Sequence, residues 1–375
     1  MAAGFLLSIA FARLLPKEVY GQYRYILSIF AILAISSLQG INDAIIRAVA
    51  KGFDGVFIKG FKTKLKWSLL GSIASIIVAC YFWSQGNIEF VVSFLIIAFF
   101  LPFFKSGETY QFYLTGKQLF GKRVAYTTVI QIISTALIIV ALFLTKNLII
   151  LVLVYFLSYS FLRTLFLFWT LKKIKPNNVD DPETITYGKH LSLMGIIGLV
   201  AKEIDKVLLF HFVGPIQLAI YSFSVLPVQY MEMPIESIQE LAFPKLSVRS
   251  NEEIKKNLPK KILKASILIL GVIIIYIILA PFFYKIFYPQ YTESISYSRL
   301  FAFTLLVFPV SMMTLSLQAK MKVKELYKIL TINPIIQIVL LIVLVPLYGI
   351  LGIIIARLIS NIIYFFLALF YFKKM

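Results

Sequence analysis

The sequence predicts an all-α membrane protein: about twelve transmembrane helices in two six-helix lobes, related by a pseudo-two-fold axis along the membrane normal. Three observations predict it. The 375-residue chain is 60% hydrophobic and only 14% charged, where soluble domains run at about 45–50% and about 25%. Its apolar residues gather into runs of roughly 20, the length a helix needs to cross about 30 Å of hydrocarbon. Its positive charges collect in alternate loops.

Taken in order, the runs are 1–15, 22–46, 66–84, 88–108, 124–144, 148–171, 189–212, 217–240, 262–284, 295–318, 326–346 and 349–372. The first would span only about 22 Å as a helix, so the N-terminal helix reads as truncated. A signal peptide is disfavoured, because no Lys or Arg precedes that apolar stretch. Most of the 37 Lys and Arg lie at positions 47–66, 105–123, 172–189, 245–264, 320–328 and 373–374; the intervening loops hold only Lys17, Lys146 and Lys285. The positive-inside rule then places both termini in the cytoplasm. The net charge of +20 is mostly an orientation signal that meets anionic membrane lipids, and nucleic acid is not an expected partner. The single Cys80 has no intrachain partner and reads as a small packed hydrophobe.

A weak internal repeat supports the two lobes. An offset of 198 places Tyr23 on Tyr221, Arg47 on Lys245, Lys66 on Lys264 and Ser68 on Ser266. Later the offset drifts to about 203, so that Lys117 of LTGKQ meets Lys320 of LQAKM. Chance alignment of apolar segments is the competing explanation. A repeat of six spans keeps its orientation in the membrane, which gives the axis along the normal. The expected domains are an N-terminal lobe, 1–171, a cytoplasmic linker, 172–188, whose Pro, Asn and Asp suit an exposed connection, and a C-terminal lobe, 189–375.

Four stretches carry a family resemblance. "ARLLPKEVYGQY" (12–23) is similar to the R-x-L-G-P-E-x-Y-G-x-Y opening of polysaccharide exporters and lipid-linked oligosaccharide flippases, in the multidrug/oligosaccharidyl-lipid/polysaccharide exporter superfamily. "GINDAIIRAVAK" (40–51), "EIDKVLLFHFVGPIQLAIYSFS" (203–224) and "GILGIIIARLISNII" (349–363) resemble later parts of the same pattern, which departs at Pro16, where the family prefers Gly. The resemblance implies two six-helix bundles around a central cavity, working by alternating access in a bacterial or archaeal cytoplasmic membrane. The implied cargo is a polyprenyl-pyrophosphate-linked oligosaccharide or polysaccharide repeat unit, moved to the outer leaflet, with H+ or Na+ as coupling ions and a glycan polymerase among its assembly partners.

The charged residues inside the runs are the candidate site. "LVAKEIDKVLLF" (199–210) sets Lys202, Glu203, Asp205 and Lys206 between apolar flanks. Four such groups facing lipid would cost roughly 10–14 kcal/mol, and the apolar residues of that helix return only about 5–9. They therefore face protein or water. Lys202, Asp205 and Lys206 share one helix face at i, i+3 and i+4. Two arrangements satisfy this. The face lines a cavity, with Lys202 or Lys206 meeting the substrate anion and Glu203 or Asp205 setting lysine position or carrying a coupling proton. Alternatively it forms a structural ion-pair cluster. Arg47, Arg357, Arg24 and Arg299 are further candidate substrate contacts, the last two reading also as interfacial anchors. Asp43, spaced to pair with Arg47, and Glu232 and Glu236 of the stripe Glu232–Glu236–Glu240 are candidate coupling or gating residues. Glu108 reads as interfacial.

No catalytic residue, metal site or cofactor is expected. The chain lacks G-x-x-x-x-G-K-[ST], H-E-x-x-H and G-x-S-x-G, and its two His are far apart. An ion-coupled multidrug exporter of the same superfamily is the alternative; it would want a more apolar, acid-lined cavity. A membrane glycosyltransferase or polymerase is a third reading, disfavoured by outer loops of a few residues each.

Overall fold

Lipid leaves backbone polar groups no water to bond, so a spanning chain must satisfy them within helices or closed barrels. This chain uses helices throughout. The computed structural model describes residues 2–375, apart from the side chains of Glu236, Ser237, Glu240, Leu241 and Pro244. Among the described residues there is no strand, and eight helices are long and apolar enough to cross a membrane. Two compact units divide the chain at Met1–Glu203 (unit 1) and Ile204–Met375 (unit 2). The division falls inside a helix, past the expected linker at 172–188.

Unit 1 begins with α1 (Ala2–Leu14) and α2 (Lys17–Leu33), joined at Pro16, whose missing N–H and fixed φ suit the start of a helix. The expected run 22–46 is not one helix. After α2 a 3-10 turn, Ala34–Ser37, ends at Leu38, which takes the left-handed conformation (φ 55°), and α3 (Gly40–Ala50) starts anew. Asp43 and Arg47 thus belong to a short separate helix. α4 (Gly55–Ser84) starts eleven residues before the expected 66, so Lys59, Lys62 and Lys64 are helical and not in a loop. Then follow α5 (Ile88–Ser106), α6 (Thr109–Gly116), α7 (Phe120–Leu144), α8 (Leu148–Ile174) and α9 (Pro182–Phe212). Cys80 lies on the exposed face of α4 and is not packed in the core. A helix crossing lipid is apolar all round, so its outward face is no more polar than its inward one.

The linker is not a free connection. Asn177 accepts the Asp54 N–H through Oδ1 (3.1 Å) and donates its amide to the Gly52 carbonyl (3.0 Å). The Gly55 N–H reaches the Val179 carbonyl (2.8 Å), and Lys59 pairs with Asp180. Asp54, only 3% exposed, also takes Lys117 at 2.7 Å and the Tyr113 hydroxyl at 3.3 Å. Residues 177–180 are thereby clasped to the start of α4. The beginning of α9 packs equally closely on α3. The Gly40 N–H donates to Ser192 Oγ (2.9 Å), and a Cβ at Gly40 would stand 2.5–2.7 Å from Ser192 N, Leu191 Cβ and the Gly188 carbonyl.

Unit 2 continues from α9 into α10 (Pro215–Val248), α11 (Asn251–Phe287), α12 (Ser294–Phe301), α13 (Val307–Ala319) and α14 (Val323–Lys373), the last kinked at Gly349 (φ 54°) where two runs were expected. Prolines inside these helices remove a donor for the carbonyl four residues back, and at two of them a polar side chain supplies it. Pro227 frees the Phe223 carbonyl, which accepts the Tyr284 hydroxyl at 2.8 Å. Pro281 frees the Ile277 carbonyl, which accepts Arg299 Nε at 2.9 Å.

The repeat has a conformational counterpart. Gln118 and Met321, matched at the offset of 203, are both non-glycine residues with positive φ (59° and 55°). Each closes the same turn. Leu119 N–H bonds to the Leu114 carbonyl (2.8 Å) and Lys322 N–H to the Leu317 carbonyl (2.9 Å), the C-terminal cap that a left-handed residue permits.

Candidate functional site

Each unit holds a carboxylate flanked by cations, half-buried in unit 1 and fully buried in unit 2. In unit 1 it is Glu108, at the break between α5 and α6. Lys64, on α4 and 0% exposed, donates to Asn42 Oδ1 of α3 at 2.6 Å and to Glu108 Oε1 at 3.3 Å. Arg163, on α8, meets Glu108 Oε2 at 3.0 Å and the Phe104 carbonyl at 3.0 Å, where α5 runs out of helical donors. Its guanidinium lies 4.1 Å from the Phe104 ring centre, and the Lys105 ammonium stands over the rings of Phe30 and Phe104. Lys105 also bears electrostatically on Glu108. Three cations therefore surround one acid.

A cavity of about 480 Å³ adjoins this cluster, lined by Gln39, Gly40, Asn42, Asp43, Phe112, Leu191, Ser192, Gly195, Gly198 and Leu199. Two of its lining residues meet Lys64: Asn42 Oδ1 accepts its hydrogen bond, and the Phe112 ring centre lies 5.5 Å from its ammonium. The wall is mixed, with amide, hydroxyl and carboxylate groups beside an aromatic ring and three glycines. A second, smaller polar pocket of about 160 Å³ lies between α3 and the start of α9, lined by Arg47, Lys51, Asp181, Glu183, Thr184 and Tyr187 among others.

In unit 2 the carboxylate is Asp205, on α9 and 0% exposed. Its Oδ2 accepts Arg357 Nη2 of α14 at 2.6 Å and the Tyr221 hydroxyl of α10. Its Oδ1 accepts the Lys206 backbone N–H at 2.7 Å and faces the Lys206 ammonium at 3.9 Å. Arg357 also donates to Tyr221 (3.2 Å) and lies 5.8 Å from the Phe301 ring. The half-buried Glu232 on α10 acts on the same guanidinium electrostatically. Of the two arrangements open in sequence, Asp205 has the ion-pair one.

The other expected residues scatter. Lys202 is exposed and Glu203 half-buried; both follow Leu199, a cavity-lining residue, by one turn. Asp43 lines the larger cavity, whereas Arg47 lines the smaller one and stacks at 5.4 Å on Tyr187, so the i, i+4 pair expected between them does not form. Arg24, at the interior of unit 1, has its Nε buried without a hydrogen-bond partner. Arg299 serves the carbonyl freed by Pro281. The Glu236 side chain lies outside the described residues. Glu108, read from sequence as interfacial, is a half-buried cluster centre held by Lys64 and Arg163. Sequence reasoning missed Lys64, which hides in a row of lysines, and Arg163, whose signal was plain: a lone Arg in the apolar run 148–171.

The family model described as "Polysaccharide biosynthesis protein" matches residues 1–248. No curated protein matches the chain. Several solved structures resemble it over nearly all of this chain, three of them as follows. One is an inward-facing multidrug resistance MATE family transporter of the MOP superfamily (TM-score 0.70, 17% identity, 99% of this chain and 94% of the other). The second is the lipid II flippase MurJ in an inward closed conformation (TM-score 0.62, 18% identity, 99% and 85%). The third is a MOP superfamily transporter from Pyrococcus furiosus whose binding pocket is described as reversed in polarity (TM-score 0.61, 17% identity, 99% and 92%). At these identities the likeness shows the fold, which is that of MOP-superfamily transporters.

Proposed function

We propose a flippase, from the premise that the chain belongs to the polysaccharide biosynthesis protein family: it carries a polyprenyl-pyrophosphate-linked oligosaccharide or polysaccharide repeat unit from the cytoplasmic to the outer leaflet by alternating access. The observation that carries this reading is the cation surplus of the Glu108 cluster, which adjoins the unit 1 cavity through Asn42 and Phe112. Lys64, Lys105 and Arg163 outnumber Glu108, and a pyrophosphate would bring the missing negative charge. The hydroxyl-rich sugar that follows would find Asn42, Asp43 and Ser192 as hydrogen-bonding groups and Phe112 as a flat apolar face. The likeness in fold to a lipid II flippase supports the same cargo class.

On this reading Arg357 in unit 2 is a second anion contact, shared for the moment with Asp205. Asp205 and Glu232 are the groups placed to exchange a proton or to answer a cation during coupling. The protein sits in a bacterial or archaeal cytoplasmic membrane with both termini inside, and works beside the glycan polymerase that consumes its product. The likeness to a multidrug transporter keeps ion-coupled export of small molecules as the second reading. Among the described residues the charged group in the lining of the larger cavity is the acid Asp43, so the preference for an anionic cargo rests on the cations of the adjoining Glu108 cluster.

Vesicles holding the purified chain and a fluorescent undecaprenyl-pyrophosphate oligosaccharide test it. Flipping that needs the protein and falls at least tenfold in Lys64→Gln, with normal incorporation, is the expected result. Transport of lipophilic cations in the same vesicles, with no flipping, would establish the exporter instead.

A further inference from the structure

A second basic site lies in unit 2, built from residues other than those around Asp205. A pocket of about 150 Å³ opens between the end of α10, the first turns of α11 and α13. Its cations are Lys245, Arg249 and Lys261, against a single acid, Glu253, which Arg249 holds at 3.4 Å. Among the described residues neither Lys245 nor Lys261 makes an ion pair. The floor is apolar: Leu246, Ile254 and Leu258 belong to the hydrophobic core of this end of the unit. The pocket also faces the N-terminal turns of α11, where Ser250 caps the helix by accepting the Glu253 N–H. The helix dipole there favours an anion.

Size and surroundings select the occupant. The space suits one phosphate group with its ester oxygens and is too small for a sugar chain or a whole lipid. Past Lys261 along α11, Leu263, Ile267 and Leu268 are each more than 60% exposed. They form an apolar track beside the pocket, interrupted by one further exposed cation, Lys264. A free phosphate has no use for such a track, whereas a molecule with a charged head and hydrocarbon tails matches both parts. Lys320 keeps the mouth in shape by donating to the carbonyls of Ser247 (3.0 Å) and Arg249.

The geometry points to a binding site for an anionic phospholipid of the surrounding bilayer, its phosphodiester on Lys245, Arg249 and Lys261 and its acyl chains along α11. The site rests on charge and shape in unit 2 alone and does not depend on which cargo the protein moves.

Native mass spectrometry and thermal melting of the purified full chain in neutral detergent test it, with phosphatidylglycerol, phosphatidylcholine and inorganic phosphate as probes. Phosphatidylglycerol is expected to bind and raise the melting temperature, and the other two are not. Lys245→Gln with Lys261→Gln should weaken phosphatidylglycerol about 30-fold, from two basic contacts. Lys255→Gln with Lys260→Gln removes the same charge from exposed positions outside the pocket and should leave binding unchanged. Equal loss in both double variants, equal response to phosphatidylcholine, or equal response to inorganic phosphate would each overturn the proposal. Should the pocket variant fail to fold, photo-crosslinking of the wild-type chain decides: a photoreactive phosphatidylglycerol is expected to label residues 242–261, and labelling confined to other segments sinks the idea.

Discussion

Glu108 in unit 1 and Asp205 in unit 2 are each paired directly with two cations, but they spend their oxygens differently. Glu108 gives one oxygen to Lys64 and the other to Arg163, and its side chain keeps 14% exposure beside a cavity. Asp205 is fully enclosed, shares one oxygen between Arg357 and Tyr221, and turns the other to the backbone and ammonium of Lys206. The first arrangement lets either cation be drawn off singly by an incoming anion. The second binds its partners into one unit, and only the guanidinium of Arg357, with 26% exposure, reaches outward. Two clusters each built on one carboxylate thus differ in how readily they exchange partners, and burial of the carboxylate makes that difference.

The comparison can be broken at its strongest point first. Asp205→Ala leaves Arg357 and Lys206 without their anion in a buried setting, and should cost about 3–5 kcal/mol of stability, read as a loss of melting temperature and yield in detergent. Adding Arg357→Met should recover most of that loss, because the stranded charge is gone. Glu108→Gln should cost less, roughly 2–3 kcal/mol, since Lys64 keeps Asn42 and the amide still bonds. A larger loss at Glu108 than at Asp205 in the same melt would reverse the ranking. Gly40→Ala pushes a methyl against the backbone of α9 and should cost about 1–3 kcal/mol. Gly195 also lines the cavity, yet a Cβ there meets nothing within 4 Å. Gly195→Leu should therefore leave melting unchanged within about 1 kcal/mol while cutting flipping in vesicles; full transport would remove the cavity from the path. The smallest effect belongs to Lys202→Ala: an exposed residue, it should shift stability by no more than about 0.5 kcal/mol, and its transport rate shows whether the exposed half of the α9 charges takes part.

The difference between the clusters also explains which was legible in sequence. Asp205 and Lys206 interrupt an apolar run, where the insertion cost makes any charge conspicuous. Arg357 stands alone in another run for the same reason. Lys64 follows Lys59 and Lys62 and precedes Lys66, so hydropathy merges it with a basic loop; only the early start of α4 carries it inside. Glu108 needed the break between α5 and α6 to be seen, and no composition signal marks it. The run 22–46 read as one helix because its apolar pattern continues through Leu38, a residue whose type gives no warning of a left-handed backbone. Conversely, the faint match of LTGKQ with LQAKM has a physical basis. Both segments close one turn type, and a turn constrains few side chains, so its sequence trace is thin. Arg299 was visible as a charge, but its role lay in Pro281, eighteen residues earlier, through a carbonyl that no pattern of side chains reveals.

The clasp of residues 177–180 on Asp54 and Gly55 has a practical corollary for anyone labelling this protein. A polar segment joining two hydrophobic halves is the usual place to splice a fluorescent reporter or an affinity handle. Here that splice would prise Asn177 off the Gly52 carbonyl and Val179 off the Gly55 amide, and would loosen the footing of α9. Handles belong elsewhere, and a reporter set at Asn177 would record its own damage.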